Sequence, residues 1–220
     1  MRVRYFKFKG SKLVYKAWWR LFETVCDVFG RIELYGYENV PKSPCIIVAN
    51  HVSYLDPMAM AFFHETELCA VARDTLMNGK ILGWVFRHLN AIPVKRGQSG
   101  NLGAFRDVLS RIKHGIGVII FPEGTRSKSD EMAEFGSGAF KVAFKHKAPI
   151  IPVCIDGSYR IMEANNGKWI KPGHVIVTVL PAIETADMER SEQKTIDKRI
   201  REELLAAREA SRASYKANDL

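Results

Sequence analysis

The sequence lacks the features that mark several classes of protein. Its four cysteines (Cys26, Cys45, Cys69 and Cys154) form no Cys-x-x-Cys pair, so neither a disulfide framework nor a zinc knuckle is predicted. No apolar run reaches the roughly 18 to 20 residues that a bilayer crossing requires. No continuous apolar stretch with a small-residue cleavage site follows the basic N-terminus, so a cleaved signal peptide is not expected. These absences favour a reducing compartment and argue against a disulfide-rich secreted domain or a membrane-spanning chain.

The composition is that of an ordinary globular protein. Apolar residues make up 47% of the 220 residues, charged residues 26% and aromatic residues 10%, a balance that neither disordered nor fibrous proteins have. A chain of this length buries roughly 70% of its unfolded surface when it folds, which is enough for one hydrophobic core. We find no internal repeat and no Pro/Gly-rich linker, so a single folded domain is predicted.

Positive charge is concentrated near the N-terminus. The net charge is +9, and residues 1–31 alone hold eight basic and two acidic residues, which indicates an anionic partner surface. The same segment is rich in aromatic residues and predicts an amphipathic helix, either lying in the plane of a membrane or packed on its own domain. Nucleic acid is not an expected partner, because no homeodomain, zinc-finger or RNA-recognition signature is present. The helical spacing is carried by Val14, Trp18, Leu21, Val25 and Phe29.

Beyond Pro41, short β-branched runs alternate with longer helical patterns. The alternation predicts an α/β fold: a single domain with a largely parallel central sheet flanked by helices, plus an N-terminal amphipathic helix and a long C-terminal helix. We assign residues 1–38 to a basic and aromatic membrane-associating segment and residues 39–220 to the folded domain. The predicted strands are 45–49, 68–72, 91–94, 116–121, 150–155 and 175–180, and the predicted helices are 57–64, 76–89, 102–114, 137–146 and 191–216.

Polar clusters follow three of the predicted strands. Asn50 and His51 follow the first strand, Lys95 and Arg96 follow the third, and the run 122–126 (Pro-Glu-Gly-Thr-Arg) follows the fourth. Parallel sheets bind their ligands outside the carboxyl ends of the strands. We therefore expect these three loops to meet at one edge of the sheet.

His51 and Asp56 form a candidate acid–base pair. Their spacing of five residues would place them about 140° apart on a regular helix, so they cannot pair on one helix face. They can pair if His51 leaves the strand in a turn and Asp56 begins the next helix, where Pro57 suits the first helical position. The carboxylate would then hold one imidazole nitrogen and leave the other free as a base. The alternative is that Asp56 or Ser53 only caps the helix and that His51 is an ordinary loop residue.

The sequence offers no protein nucleophile beside this pair. It has no Gly-x-Ser-x-Gly elbow, since Ser137 lies in Phe-Gly-Ser-Gly-Ala, and no phosphate-binding Gly-x4-Gly-Lys loop. His64-Glu65 lacks the second histidine of a zinc-binding helix, so no metal ligands are assigned. A base without a nucleophile indicates direct transfer onto the hydroxyl of an acceptor.

Arg96 and Arg126 supply positive charge at the same predicted edge. Arg96 opens a glycine-rich turn and Arg126 closes the 121–126 loop, so two guanidinium groups and backbone amides can converge on a phosphate. We interpret Glu123 as orienting a guanidinium or the loop backbone. Taken singly, each arginine is better explained as a surface salt bridge. Together, and beside the His51–Asp56 pair, the two arginines favour a phosphate site.

Four blocks of the sequence, spanning about residues 39–155, resemble the motifs of the glycerolipid acyltransferases, which include the 1-acyl-sn-glycerol-3-phosphate acyltransferases. The second block differs from many members, since Lys95 stands where Asp or Asn is common. The blocks are Asn50-His51-Val52-Ser53-Tyr54-Leu55-Asp56, Pro93-Val94-Lys95-Arg96, Phe121-Pro122-Glu123-Gly124-Thr125-Arg126-Ser127 and Ala148-Pro149-Ile150-Ile151-Pro152-Val153.

The resemblance implies an O-acyltransferase of phospholipid biosynthesis that acylates a lysophospholipid, with 1-acyl-sn-glycerol 3-phosphate as the expected acceptor and phosphatidic acid as the product. The donor would be acyl-CoA or acyl carrier protein, with no further cofactor, and the enzyme would act as a peripheral or monotopic protein on the cytoplasmic face of a membrane. His51 would be the general base, oriented by Asp56. The implied substrate-binding residues are Arg96, Glu123, Gly124, Thr125, Arg126, Pro149, Ile151 and Pro152.

Three alternatives remain open at the level of sequence. The first is a superfamily member that acylates glycerol 3-phosphate, lyso-ornithine lipid or lyso-cardiolipin. The second is a lipase or thioesterase, against which the missing serine elbow argues. The third is a non-catalytic protein that binds a membrane or nucleic acid.

Overall fold

A computed structural model describes residues 24, 30–59, 68–88, 91–95, 102–127, 129–165 and 171–218. The described strands form one seven-stranded sheet in the order β1-β7-β6-β2-β5-β3-β4. The strand bounds are β1 Gly30–Tyr35, β2 Ile46–Ala49, β3 Leu68–Arg73, β4 Ile92–Val94, β5 Gly117–Ile120, β6 Ile150–Asp156 and β7 Gly173–Val179.

Five of the strands run in one direction. Strand β2 pairs in parallel with β5 and β6, and β5, β3 and β4 continue the parallel arrangement. Strand β7 is antiparallel to β6 and parallel to β1, so these two strands run the opposite way. The carboxyl ends of β2, β3, β4, β5 and β6 therefore share one edge of the sheet, and the predicted α/β fold with a largely parallel sheet is confirmed.

The described helices flank this sheet, and none of them combines the length and hydropathy needed to cross a bilayer. Short 3-10 turns cover Tyr37–Asn39, Asp74–Asn78 and Glu163–Asn165. The α-helices are α1 Asp56–Ala59, α2 Lys80–His88, α3 Leu102–Lys113, α4 Gly138–His146, α5 Ser158–Ile161, α6 Arg190–Gln193 and α7 Ile196–Asn218.

Strand β2 lies at the centre of the core and is buried on both faces. Ile46 and Val48 belong to one apolar cluster, which includes residues of α3, α4 and α7, whereas Ile47 and Ala49 belong to a second cluster on the other face. All four side chains are fully buried. A strand covered on both faces has a continuous run of apolar residues. This run is what predicts strand β2 from the sequence.

Strand β1 was not predicted, although its sequence carries a signal. In Gly-Arg-Ile-Glu-Leu-Tyr, apolar and polar residues alternate as in a half-buried strand, and Ile32 and Leu34 pack against the second cluster. Because residues 30–35 belong to the sheet, the folded domain begins before the predicted boundary at residue 39. The rest of the predicted 1–38 segment, including its amphipathic helix, lies outside the described residues apart from Thr24 and 36–38.

The long C-terminal helix begins later than predicted. A capping box between Glu189 and Glu192 starts the short α6, and α7 then runs from Ile196 to Asn218. The predicted apolar stripe of Ile196, Ile200 and Leu204 is buried against the sheet. The helix therefore docks through residues spaced four apart, which lie on one of its faces.

The same face of α7 continues into a charged network. Arg208, four residues beyond Leu204, has a side chain that is 6% exposed and reaches the buried Asp156 at the end of β6, with Nε 3.2 Å from Oδ1. Its Nη2 atom lies 2.6 Å from an Asp130 carboxylate oxygen and also bonds the Asp130 backbone carbonyl. Arg212 pairs with the same two carboxylates. The network ties α7 to β6 and to the segment that follows the 121–126 loop.

We expect Arg208→Ala to lower the free energy of unfolding by about 1.5–3 kcal/mol, because it removes one of the two charged hydrogen bonds to the buried Asp156 carboxylate and leaves only that of Arg212. The matched control is Arg199→Ala on the same helix. Arg199 forms an exposed i,i+4 pair with Glu203, for which a loss of about 0.5 kcal/mol or less is expected. Chemical denaturation of both variants provides the comparison, and equal losses would contradict a structural role for the network.

Candidate active site

The structure brings His51 and Asp56 together at the carboxyl end of β2. His51 leaves the strand in a turn, Asp56 is the first residue of α1, and the His51 Nδ1 atom lies 3.0 Å from Asp56 Oδ2. The Asp56 side chain is fully buried, whereas the His51 side chain is 17% exposed. The two residues therefore pair through a turn, as their spacing allows.

The Asp56 carboxylate is held by four donors. Oδ2 accepts the backbone N–H groups of Val52 and Ser53, both at 2.7 Å, in addition to the His51 ring. Oδ1 accepts the hydroxyl of Ser158, at 2.6 Å. An ionised carboxylate accepts hydrogen bonds and donates none, so the proton of a neutral His51 ring lies on Nδ1. The lone pair of Nε2 is then free to accept a proton.

These contacts go beyond helix capping. A capping side chain accepts N–H groups from the first turn of its own helix, whereas Asp56 accepts the N–H groups of residues that precede it. The Ser53 hydroxyl instead accepts the Leu55 N–H, at 3.0 Å. Asp56 therefore shapes the turn that carries His51 as well as binding its ring.

The backbone of His51 is fixed by the loop after β5. Its N–H donates to Glu123 Oε1 at 2.7 Å, and its carbonyl accepts the N–H of Ser127 at 2.9 Å. The His51 ring stacks on Phe121, with the ring centroids 4.3 Å apart. The parallel neighbours β2 and β5 thus stay in contact beyond their last ladder bonds, and this contact positions the imidazole.

Asn50 fixes the other side of the same turn. Its buried side-chain amide donates to the Ile155 carbonyl at 2.8 Å and accepts the Ile155 N–H at 2.7 Å. The side chain therefore continues the β2–β6 pairing by imitating a backbone peptide. This contact accounts for the asparagine that precedes His51.

The loop after β5 turns sharply at Gly124. The Gly124 N–H bonds the Phe121 carbonyl at 3.1 Å, and Gly124 has φ +67°, a conformation that glycine adopts without steric cost. Gly124 and Thr125 are exposed at this turn. The turn presents its backbone on the same edge of the sheet as His51.

Glu123 holds the backbone of two segments. Besides the His51 N–H, it accepts the Ala133 N–H at 3.2 Å. Of the two roles interpreted from the sequence, these contacts correspond to orienting the loop backbone. Burial raises the pKa of Glu123 from 4.5 to about 7, against the lowering effect of the two N–H donors.

Arg126 lies on the ring of Tyr54 and is paired with Glu163. Its Cζ atom is 3.2 Å from the centroid of the Tyr54 ring, a cation–π arrangement. Its Nη1 atom is 3.2 Å from Glu163 Oε1, the same oxygen that accepts the Tyr54 N–H at 2.7 Å. The guanidinium is thus held by one residue of the His51 turn and one residue beyond β6.

The remaining predicted site residues do not all lie at this edge. Arg96 falls outside the described residues, and Lys95 follows β4 with an exposed side chain. Pro149, Ile151 and Pro152 are buried, and Ile151 lies opposite Ile47 in the ladder. Ile151 is therefore four residues, or about 13 Å of strand, before the level of His51. These three residues lie in the buried part of the sheet, and substrate binding by them stays a prediction.

No serine or cysteine of the described ranges is hydrogen-bonded to the His51 ring, whose polar partner is Asp56. Burial raises the pKa of Cys45, Cys69 and Cys154 to about 12, so their reactive thiolate forms are suppressed. The Ser158 hydroxyl donates to Asp56 rather than to the imidazole. Within the ranges that the structure describes, no group of three His, Cys, Asp or Glu side chains is arranged to hold a metal ion.

Sequence reasoning assigned no role to four residues of this site: Phe121, Ser158, Glu163 and the ring of Tyr54. Phe121 and Tyr54 lie inside two of the four motif blocks, so aromatic residues beside polar motif residues were a sequence signal that could have identified them. Ser158 and Glu163 lie 102 and 109 residues along the chain from their partners in the His51 turn. No spacing rule connects residues so far apart.

The raised pKa of Glu123 predicts a pH dependence. Between its ordinary pKa of 4.5 and about 7, the folded protein binds more protons than the unfolded chain, so rising pH lowers the free energy of unfolding. Glu123→Gln keeps an acceptor oxygen and does not titrate. We therefore expect this variant to gain stability relative to the wild type between about pH 5 and about pH 8, as measured by urea denaturation. If the difference in unfolding free energy between Glu123→Gln and the wild type does not change with pH, the raised pKa of Glu123 is contradicted.

Comparison with known proteins finds acyltransferases that are similar to this chain. Residues 31–156 match the family model described as Acyltransferase. A chloroplastic 1-acyl-sn-glycerol-3-phosphate acyltransferase of Brassica napus is 29% identical over 154 residues, which cover 69% of this chain and 44% of the relative. A 1-acyl-sn-glycerol-3-phosphate acyltransferase of Pseudomonas aeruginosa is 29% identical over 157 residues, covering 70% of this chain and 59% of the relative. The chain thus spans about half the length of the curated relatives it matches.

A solved structure extends the likeness to the fold. The crystal structure of the 1-acyl-sn-glycerophosphate (LPA) acyltransferase PlsC from Thermotoga maritima is similar with a TM-score of 0.72 and 28% sequence identity. The match covers 90% of this chain and 78% of that one. The region that matches the family model, residues 31–156, begins in β1 and ends with β6, and so contains His51, Asp56, Glu123 and Arg126. The chain belongs to the acyltransferase family.

Proposed function

We propose that the protein is an O-acyltransferase that moves a fatty acyl group from acyl-CoA or acyl carrier protein to the free hydroxyl of a lysophospholipid. The proposed acceptor is 1-acyl-sn-glycerol 3-phosphate, and the product is phosphatidic acid. The observation that carries the proposal is the buried Asp56 carboxylate, which leaves Nε2 of His51 free at the sheet edge that also holds Arg126. The activity in the names of the relatives supports the same reaction.

His51 acts as the general base in this proposal. As Nε2 takes the proton of the acceptor hydroxyl, the hydroxyl oxygen attacks the thioester carbonyl of the donor, and the new ester bond forms as the carbon–sulfur bond breaks. The proton then passes from His51 to the departing thiolate. The Asp56 carboxylate stabilises the transient imidazolium, as the aspartate of a catalytic triad does. The substrate brings the nucleophile, so no acyl-enzyme is formed.

Arg126 binds the phosphate of the acceptor. A guanidinium pairs with phosphate through two parallel hydrogen bonds, which fixes orientation as well as affinity. The exposed Thr125 adds a backbone N–H donor at the neighbouring turn, and Arg96 is proposed as a second cation. Glu123 contributes by holding the loop in place.

Membrane association is proposed for the basic and aromatic N-terminal segment. Its eight basic residues among positions 1–31 suit an anionic leaflet, where each contributes about 1 kcal/mol of attraction. Its Trp and Tyr residues favour the headgroup level. The proposal places the protein peripherally on the cytoplasmic face, where a lysolipid acceptor reaches the catalytic edge.

His51→Ala should lower kcat by about 10²–10⁴, which is the usual contribution of a general base, while the fold is retained. Acyl transfer is measured with a labelled donor and each of 1-acyl-sn-glycerol 3-phosphate, glycerol 3-phosphate, another lysolipid and no acceptor. The control is His114→Ala, because His114 is exposed at the end of α3 and bonds a carbonyl of its own helix. Near-wild-type transfer by His51→Ala would refute the mechanism, and release of fatty acid without acceptor would identify a hydrolase.

Arg126→Ala is expected to raise the KM for the phosphate-bearing acceptor by about tenfold to a hundredfold, the loss of hydrogen bonds to a charged group. The KM for the acyl donor should change little. Arg199→Ala, which removes an exposed arginine on α7, is the charge-matched control. If Arg126→Ala leaves the acceptor KM unchanged, then Arg126 does not bind the acceptor phosphate.

A further inference from the structure

We propose that Glu163 is a positioning residue for the acceptor site: it holds the Arg126 guanidinium on the ring of Tyr54, in the orientation that receives the acceptor phosphate. This inference deepens the proposed function and rests on it. Glu163 lies in the 3-10 turn after α5, beyond the matched region 31–156. It would therefore add to the acceptor site a residue that the four motif blocks do not contain.

The contacts of Glu163 join the two loops that carry the site. A single oxygen, Oε1, accepts the Tyr54 N–H at 2.7 Å and lies 3.2 Å from Arg126 Nη1. The Tyr54 ring supplies the opposing contact, 3.2 Å from the guanidinium carbon. The aromatic face and the carboxylate together restrict both the position of the guanidinium and the orientation of its plane.

This restriction matters because arginine is flexible. Fixing a free arginine side chain costs up to about 2 kcal/mol of rotamer entropy, and a side chain that is ordered before binding does not pay this cost when the ligand arrives. The guanidinium has five N–H donors, of which the Glu163 contact engages the Nη1 side. The other donors remain for a phosphate.

The two carboxylate oxygens of Glu163 have different surroundings, so its positioning role can be tested separately from its negative charge. Oε2 is buried and has no hydrogen-bond partner among the described residues, and the side chain as a whole is 12% exposed. Positioning therefore depends on Oε1, which a glutamine also provides. A negative charge next to a bound phosphate is unfavourable, so the charge itself is not expected to aid binding.

Three variants of Glu163 test the inference, with the acceptor KM and kcat measured separately in the full-length protein. Glu163→Ala removes the contact and should raise the acceptor KM about tenfold while kcat stays within about twofold. Glu163→Asp shortens the side chain by one methylene group, which draws the carboxylate away from the Tyr54 N–H and the Arg126 guanidinium, and should also raise the KM. Glu163→Gln keeps the acceptor oxygen and should recover most of the lost acceptor binding. Glu203→Ala, which frees an exposed arginine on α7, is the control.

A double-mutant cycle with Arg126 distinguishes positioning from general damage. If Glu163 acts through Arg126, then Glu163→Ala adds no further increase in acceptor KM to Arg126→Ala. The inference would be overturned if the two substitutions raised the acceptor KM by independent factors that multiply in the double variant. It would also be overturned if Glu163→Ala and Glu163→Asp left the acceptor KM unchanged, or if they lowered only kcat. If Arg126→Ala raises the KM but the Glu163 variants do not, only the inference fails. If Arg126→Ala itself has no effect, the proposed phosphate site fails first.

Discussion

The site depends on one buried carboxylate and the four donors that satisfy it. Asp56 has no solvent contact, and burying an ionised group without partners would cost several kcal/mol. Its donors come from the His51 turn and from Ser158 at the start of α5. These four hydrogen bonds exist only while the two segments stay in place. The geometry of the His51–Asp56 pair and the local stability of this edge of the sheet therefore depend on the same contacts.

The parallel sheet explains why the loops meet. Strand β2 lies between β5 and β6, and all three strands end at the same edge. The pairing continues past the strand ends, through Glu123 and Ser127 on one side of His51 and through Asn50 on the other. The imidazole is thus positioned by hydrogen bonds to both neighbouring strands. A loop held in this way has little conformational freedom left to lose.

The C-terminal helix supports the same edge from outside. Asp156 ends β6 and is bound by Arg208 and Arg212, and Gly157, with φ +91°, turns the chain so that Ser158 reaches Asp56. A single residue, Gly157, therefore separates the charged network of α7 from the hydroxyl that completes the contacts of the Asp56 carboxylate. Because Asp130 joins the same network, α7 also anchors the segment that follows the Arg126 loop.

Sequence patterns were sufficient where a feature is local. Continuous apolar runs identified the buried strands, a four-residue spacing identified the docked stripe of α7, and the short distance between His51 and Asp56 allowed a pairing that the turn realises. The alternation in β1 was a local signal of the same kind, although it was not used. The reversed direction of β7 was not predicted, because the strand pattern is the same for either orientation.

Contacts between distant parts of the chain were decided only by the fold. Ser158 contacts Asp56, and Glu163 contacts Tyr54 and Arg126, because β6 lies beside β2 and brings the chain after residue 156 to the edge of the sheet that carries His51. Likewise, the polar role of Asn50 and the raised pKa of Glu123 depend on burial and on partners 105 and 72 residues away. A linear sequence determines periodicity and short-range spacing, whereas desolvation and the convergence of remote side chains exist only once the sheet has assembled.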